Sequence, residues 1–299
     1  MLSEMLSECI PWMTVALAES VAIVTLNLCT IIVFIRNRNL RKRSTYLVIN
    51  LAVIDMFVGG FVAYTMFYSP GVLCHVFIWR SIENWAFDIL QAFSVFFPLS
   101  SLTNMVIIAL ERVHATYRPF KHRLLKKWLY GLIIALVWIS SGLVIVAYML
   151  LAYFSEIAHQ LYLRATFFFI CLLIICVSYT SIVIKVRCGA QPQHHGAASR
   201  ERKLTMTLLI VTVVSLLLSL PYVIFGFVIF SSDFNFMSLP HSVRFHLDYT
   251  VVSLFYANSL VNPILYAIRM PEYRSAVLEV FSKRPQQQRQ VAVLPLREM

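Results

Sequence analysis

Charged residues are scarce in this chain. They make up 13% of the 299 residues, against 60% hydrophobic ones. A soluble domain cannot hide that much apolar surface from water, so the shortage points to the bilayer as solvent. Other absences narrow the function. There is no nucleophile–base–acid set, no phosphate-binding glycine loop and no His/Cys metal cluster, which argues against an enzyme. His194 and His195 stand together on a glycine-rich stretch and read as solvated. No internal repeat and no soluble domain is visible. The first eleven residues carry Glu4 and Glu8 but no Lys or Arg, the wrong start for a cleavable signal peptide. The first apolar segment is therefore expected to insert as its own anchor. No Asn-x-Ser/Thr occurs, so N-glycosylation is not expected. The six cysteines form no disulfide framework. Cys29, Cys171 and Cys176 fall inside apolar segments, where a thiol acts as a small hydrophobe.

What the chain does have is long apolar runs. Crossing about 30 Å of hydrocarbon takes roughly 20 residues of helix. Seven windows qualify: 12–35, 44–68, 84–110, 128–152, 165–184, 204–230 and 245–268. All are too long for strands of a membrane barrel, so they read as helices. The expected fold is an all-α membrane protein, a seven-transmembrane helix bundle with a short amphipathic C-terminal surface helix. The organisation follows as an extracellular N-terminus (1–11), the membrane bundle (12–268), the surface helix (269–284) and a disordered cytoplasmic tail (285–299). In the surface helix Tyr273, Val277 and Phe281 recur every four residues on one face.

The scarce charges are unevenly placed. The segments 36–43, 118–127, 185–203 and the tail from 269 hold 21 of the 25 basic residues, all on one side of the expected bundle. Basic loops stay in the cytoplasm, so the N-terminus is expected outside and the C-terminus inside, at the plasma membrane. The net charge of +11 then reflects topology and attraction to anionic inner-leaflet lipid, with no need for nucleic acid. Cys9 and Cys74 both face outward, where an oxidising compartment permits a bridge between them.

Polar groups in hydrocarbon are costly and tend to mark function. Asp55 lies at mid-depth of the second segment, with Asn27, Ser100, Ser101, Asn258, Ser259 and Asn262 at comparable depth. These oxygens suit Na⁺ or water, or else a hydrogen-bonded knot that ties helices together. Pro221 and Pro263 remove backbone hydrogen bonds and bend their helices. At the inner end of the third segment Glu111 adjoins Arg112, and Glu201 opens the sixth in "SRERKL". An Arg–Glu pair between helix ends gains little net energy, yet it can hold one of two arrangements.

These motifs resemble the rhodopsin-like (class A) G-protein-coupled receptors. The likeness runs from Asn27 through "LAVID", "ERV", Trp138, Tyr179, Pro221 and "NPILY" (Asn262–Tyr266) to the helix near Phe281. The resemblance implies a sodium pocket at Asn27, Asp55, Ser101, Asn258, Ser259 and Asn262. It also implies an ionic lock and G-protein coupling site at Glu111, Arg112, Tyr179, Glu201 and Tyr266. Its partners are an extracellular ligand, a heterotrimeric G protein, arrestin and membrane lipid. Outward movement of the sixth helix carries the signal.

The departures are specific. Phe87 stands where the family's outer disulfide begins, Cys171 replaces a proline, Val113 replaces the tyrosine after the arginine, and Ser219 replaces the toggle tryptophan. A lost disulfide, a lost span-five proline and a short outer loop resemble the melanocortin receptors. No lysine lies between Lys203 and Lys283, and Tyr256 occupies the opsin lysine's place, so retinal and other organic cofactors are not expected. Ser94 replaces the aspartate of amine receptors. Asp88, Gln91, Ser94, Asp248, Tyr249 and Tyr256, with Glu83, Glu19 and His246 nearby, suit a small molecule or short peptide, cationic in the field of these acids. Two other readings stay open: a small transporter or channel using Asp55 and Glu19, and a receptor-like accessory subunit with little signalling of its own.

Overall fold

The computed structural model describes residues 2–37, 40, 45–68, 84–154, 157–188, 197–230 and 238–281. Seven of its helices are long and apolar enough to cross a membrane, and the chain is a multi-pass membrane protein. Without water to bond the backbone, each apolar run must satisfy its N–H and C=O groups within itself, which selects helix. The order is α1 Leu2–Arg36, α2 Thr45–Val62, α3 Asn84–Tyr117, α4 Pro119–Leu124, α5 Lys127–Phe154, α6 Ile157–Cys188, α7 Ala197–Phe230, α8 His241–Arg269 and α9 Pro271–Phe281. A wide turn of π-helix, Ala63–Tyr68, extends α2.

Several helices outrun their apolar windows. α1 begins at Leu2 and continues through Pro11. α3 carries on to Tyr117 through its charged end. α7 begins at Ala197, ahead of its apolar window 204–230. Helix ends beyond the apolar run are polar, and hydropathy alone does not register them.

α3 is the central post. It touches α2, α5, α6 and α7, and 67% of its apolar window is buried, against 17% for α5. α5 therefore stands at the rim and presents Leu132, Leu136 and Leu143 outward, as lipid contact requires. α1 leans on α2 and α8, and the approach is close. A Cβ on Gly59 of α2 would stand 2.8 Å from Ile23 and 2.9 Å from Val24 of α1. The Ser20 hydroxyl donates to the Gly59 carbonyl across the same gap at 2.7 Å. Small residues of this kind let membrane helices approach.

α9 departs from the expected surface role in one respect. Tyr273 and Ala276 are buried in the core cluster that also holds Val33, Met105 and Tyr266. The Tyr273 hydroxyl meets the Thr30 hydroxyl of α1 at 2.9 Å. Burial raises the Tyr273 phenol above the ordinary tyrosine range, and the Thr30 bond opposes that rise. The apolar face thus docks on the bundle, while Leu278 is left exposed.

Candidate functional site

Polar side chains gather at three depths along the bundle. Toward the face where α1 begins, α3, α6, α7 and α8 enclose a cavity of about 380 Å³. Five of the six expected ligand residues line it: Gln91, Ser94, Asp248, Tyr249 and Tyr256. Asp88 does not. It sits one turn nearer the helix end and is exposed. The walls are otherwise largely aromatic and aliphatic, and Tyr222 stacks on Phe255 with ring centres 4.5 Å apart. The Tyr256 hydroxyl accepts from Thr65 of the π turn at 3.4 Å.

One charged wall residue escaped the sequence reading. Arg164, outside the four basic segments, lines the cavity from α6. Its Nη1 donates to the Tyr222 hydroxyl at 3.2 Å, and its guanidinium carbon lies 5.5 Å from the centre of the Tyr148 ring. Its Nε is buried with no acceptor among the described residues. The short outer segment that appeared to be loop is the first turns of α6, and that continuation turns Arg164 inward. Glu19, whose partner sequence could not supply, accepts from Ser253 of α8 at 2.9 Å. It is only 8% exposed, and its other oxygen has no donor among the described residues. His246 accepts from the Trp12 indole at 2.9 Å.

At mid-depth Asp55 is wholly buried. Its Oδ1 accepts from Ser101 at 2.8 Å and from Ser259 at 3.1 Å, and its Oδ2 accepts from Asn262 at 2.7 Å. Asn27 joins the group by donating to the Ser259 carbonyl at 3.0 Å. Asn258 makes no hydrogen bond to this group among the described residues, and its Oδ1 is buried without a donor. The Oδ1 atoms of Asn27 and Asn262 are likewise unpartnered. No cation lies within ion-pair distance of Asp55 among the described residues. An all-oxygen set with spare lone pairs and an unbalanced carboxylate fits a hard monovalent cation. A second network, absent from the sequence reading, lies beside it. Asn50 donates to Asn104 at 2.9 Å and accepts from the Trp138 indole at 3.1 Å. An asparagine inside a span was the available signal.

At the opposite face Arg112 is fully buried. Its Nε and Nη2 both bond Oε2 of Glu111. The other Glu111 oxygen is held by the His122 ring and by the Tyr130 hydroxyl, the latter at 3.2 Å. His122 rides on α4, a helix turn that the basic loop did not advertise. The Glu201 side chain lies outside the described residues, as do Glu83 and Cys74. Cys9 is disulfide-bonded, and Cys74, the partner expected for it, is outside that description. The Tyr179 hydroxyl meets Thr212 of α7 at 3.2 Å, and the buried Tyr266 hydroxyl has no partner among the described residues.

A model of the 7 transmembrane receptor (rhodopsin family) matches residues 26–266. Melanopsin of Rattus norvegicus is 28% identical over 284 residues, covering 85% of this chain and 58% of that protein. The chain thus spans little more than half of the length of that relative. Blue-sensitive opsin of Anolis carolinensis is 25% identical over 280 residues, covering 85% of this chain and 75% of its own length. Melanocortin receptor 5 of Rattus norvegicus is 24% identical over 265 residues, with 85% and 79% covered.

Proposed function

Because the chain belongs to the rhodopsin family of seven-transmembrane receptors, we propose that it is a G-protein-coupled receptor of the plasma membrane, with its N-terminus outside and its C-terminus in the cytoplasm. A ligand enters the cavity between α3, α6, α7 and α8 and meets Asp248 with a cationic group. The cavity takes no retinal, since a phenol at Tyr256 forms no Schiff base. Na⁺ would balance Asp55 in the resting state, held by oxygens of the group Asn27, Asp55, Ser101, Asn258, Ser259 and Asn262. Agonist binding favours the arrangement in which α7 swings outward at the Pro221 bend, shifting an existing equilibrium. Arrestin is a further cytoplasmic partner.

The observation that carries this reading is the fully buried guanidinium of Arg112, tied to its neighbouring acid and hidden from the cytoplasmic face. A buried pair of this type adds little stability but can hold one of two states. The Tyr266 hydroxyl, without a partner among the described residues, supports a second state, since leaving a buried polar group unsatisfied costs about 1–3 kcal/mol. A transporter finds less support. Glu19 and Asp55, the carboxyls such a path would use, belong to separate hydrogen-bond groups, Glu19 with Ser253 and Asp55 with Ser101, Ser259 and Asn262.

The test is nucleotide exchange on heterotrimeric G proteins by the full chain in lipid nanodiscs. Basal or ligand-driven exchange is expected from the wild type and none from Arg112→Ala. Unchanged exchange by that variant overturns the proposal.

A further inference from the structure

We infer that the cavity ligand is amphoteric: a small molecule with a carboxylate at one end, an ammonium at the other and an apolar body between them. This rests on the receptor reading and names the chemistry its site selects.

The argument begins with two charges that share a cavity and do not meet. Arg164 and Asp248 both line it. Neither forms an ion pair with the other or with any other side chain among the described residues. Among the described residues the guanidinium has Tyr222 as its hydrogen-bond acceptor and the Tyr148 ring as its cation–π partner. Its Nε–H has no acceptor among the described residues. A guanidinium offers five donors in a planar fork that matches a carboxylate bidentately. The Nε–H with an N–H of Nη2 forms the edge of that fork opposite in role to the Nη1 already committed to Tyr222. A ligand carboxylate fills that edge and supplies the missing countercharge.

Asp248 stands on a different helix, exposed, and makes no hydrogen bond among the described residues. An ammonium is its natural complement. A ligand with an ammonium alone would leave the buried Nε–H of Arg164 unsatisfied, and one with a carboxylate alone would leave Asp248 without its complement. Much of the remaining wall is apolar, with Val95, Pro98, Leu99, Phe168, Val252 and Phe255. The space, about 380 Å³, admits a molecule of dipeptide size. The ligand therefore has its acid and amine separated by an apolar or aromatic body, as in a short peptide with both ends free.

The test uses three probes with one skeleton: the dipeptide Phe-Phe, its C-terminal amide, and its N-acetyl form. They carry both charges, the cation alone and the anion alone. The detergent-purified full chain is melted across a concentration series of each, and nucleotide exchange is measured on the same preparation. The free dipeptide is expected to stabilise the protein at about tenfold lower concentration than either blocked form, the worth of one charge-assisted contact. Arg164→Gln is expected to reduce the dipeptide to the level of the amide while leaving the amide's own effect intact. Asp248→Asn is expected to reduce it to the level of the N-acetyl form.

Equal effects from all three probes overturn the inference, as does no effect from any at millimolar concentration. So does an Arg164→Gln protein that loses the amide as fully as the dipeptide. Should a variant fail to fold, the wild-type comparison alone decides. Exchange without charge preference sinks the amphoteric site and leaves the receptor reading standing. Charge-selective binding with no exchange sinks the receptor reading and leaves the site.

Discussion

Asn50 joins three helices through one amide. It donates to Asn104 of α3 and accepts from Trp138 of α5, and Asn104 in turn donates to the Leu47 carbonyl at 3.0 Å. Asn50→Ala removes one partner from each of two groups, the Asn104 amide oxygen and the Trp138 indole N–H. The expected loss is about 2–6 kcal/mol, since each of the two stranded groups costs about 1–3 kcal/mol. Melting of the purified variant in detergent checks this, and an unchanged midpoint would show that the two groups find other partners. The same residue marks the limit of reading single positions. That an asparagine or aspartate in hydrocarbon matters is legible from its type, and Asp55 was found that way. Which group answers it is not legible. The Glu19–Ser253 bond joins positions 234 apart, and no local pattern encodes that meeting. Arg164 was missed for a related reason: its side chain is long, and the face it takes depends on how far α6 extends.

The α1–α2 pair turns this into a question about helices. Adjacent glycines on α2 meet opposite surroundings, although the sequence presents them as equals. A Cβ at Gly59 would collide with Ile23 and Val24, whereas a Cβ at Gly60 meets nothing within 4 Å. Gly59→Ala is therefore expected to destabilise the bundle by about 1–3 kcal/mol, the usual cost of overpacking. Gly60→Ala is expected to be neutral or to stabilise by up to about 1 kcal/mol, through helix propensity alone. Paired melting curves decide it, and equal behaviour of the two variants would mean that the helices do not meet at this seam. The existence of the seven helices was legible because each carries a long apolar run, and in lipid such a run satisfies its backbone polar groups as helix. Their ends were not. The continuation of α1 past Pro11 and the π turn after Val62 depend on neighbours rather than on hydropathy. The docking of α9 through Tyr273 was visible only as a stripe, with nothing in the stripe to distinguish lipid from the Thr30 hydroxyl of α1 as its partner.

For the whole molecule the informative quantity is the distribution of charge, since composition alone would suit many membrane proteins. Of the 25 basic residues, 21 fall in four segments: 36–43, 118–127, 185–203 and the tail from 269. Seven crossings place all four segments on one face and the N-terminus on the other. Basic loops resist translocation, so that face is expected to be cytoplasmic. The latch at Arg112 lies at the same end of α3 as the segment 118–127, which makes orientation a condition of the proposed function. A buried arginine on the outer surface would have no G protein to meet. With a short epitope on each end of the full chain, antibody should reach the N-terminal epitope on intact cells and the C-terminal one only after permeabilisation. The reverse pattern would leave the bundle intact but place the 380 Å³ cavity in the cytosol, and the signalling proposal would fail with it. Epitopes on the same face would require an even number of crossings, which contradicts the seven helices themselves.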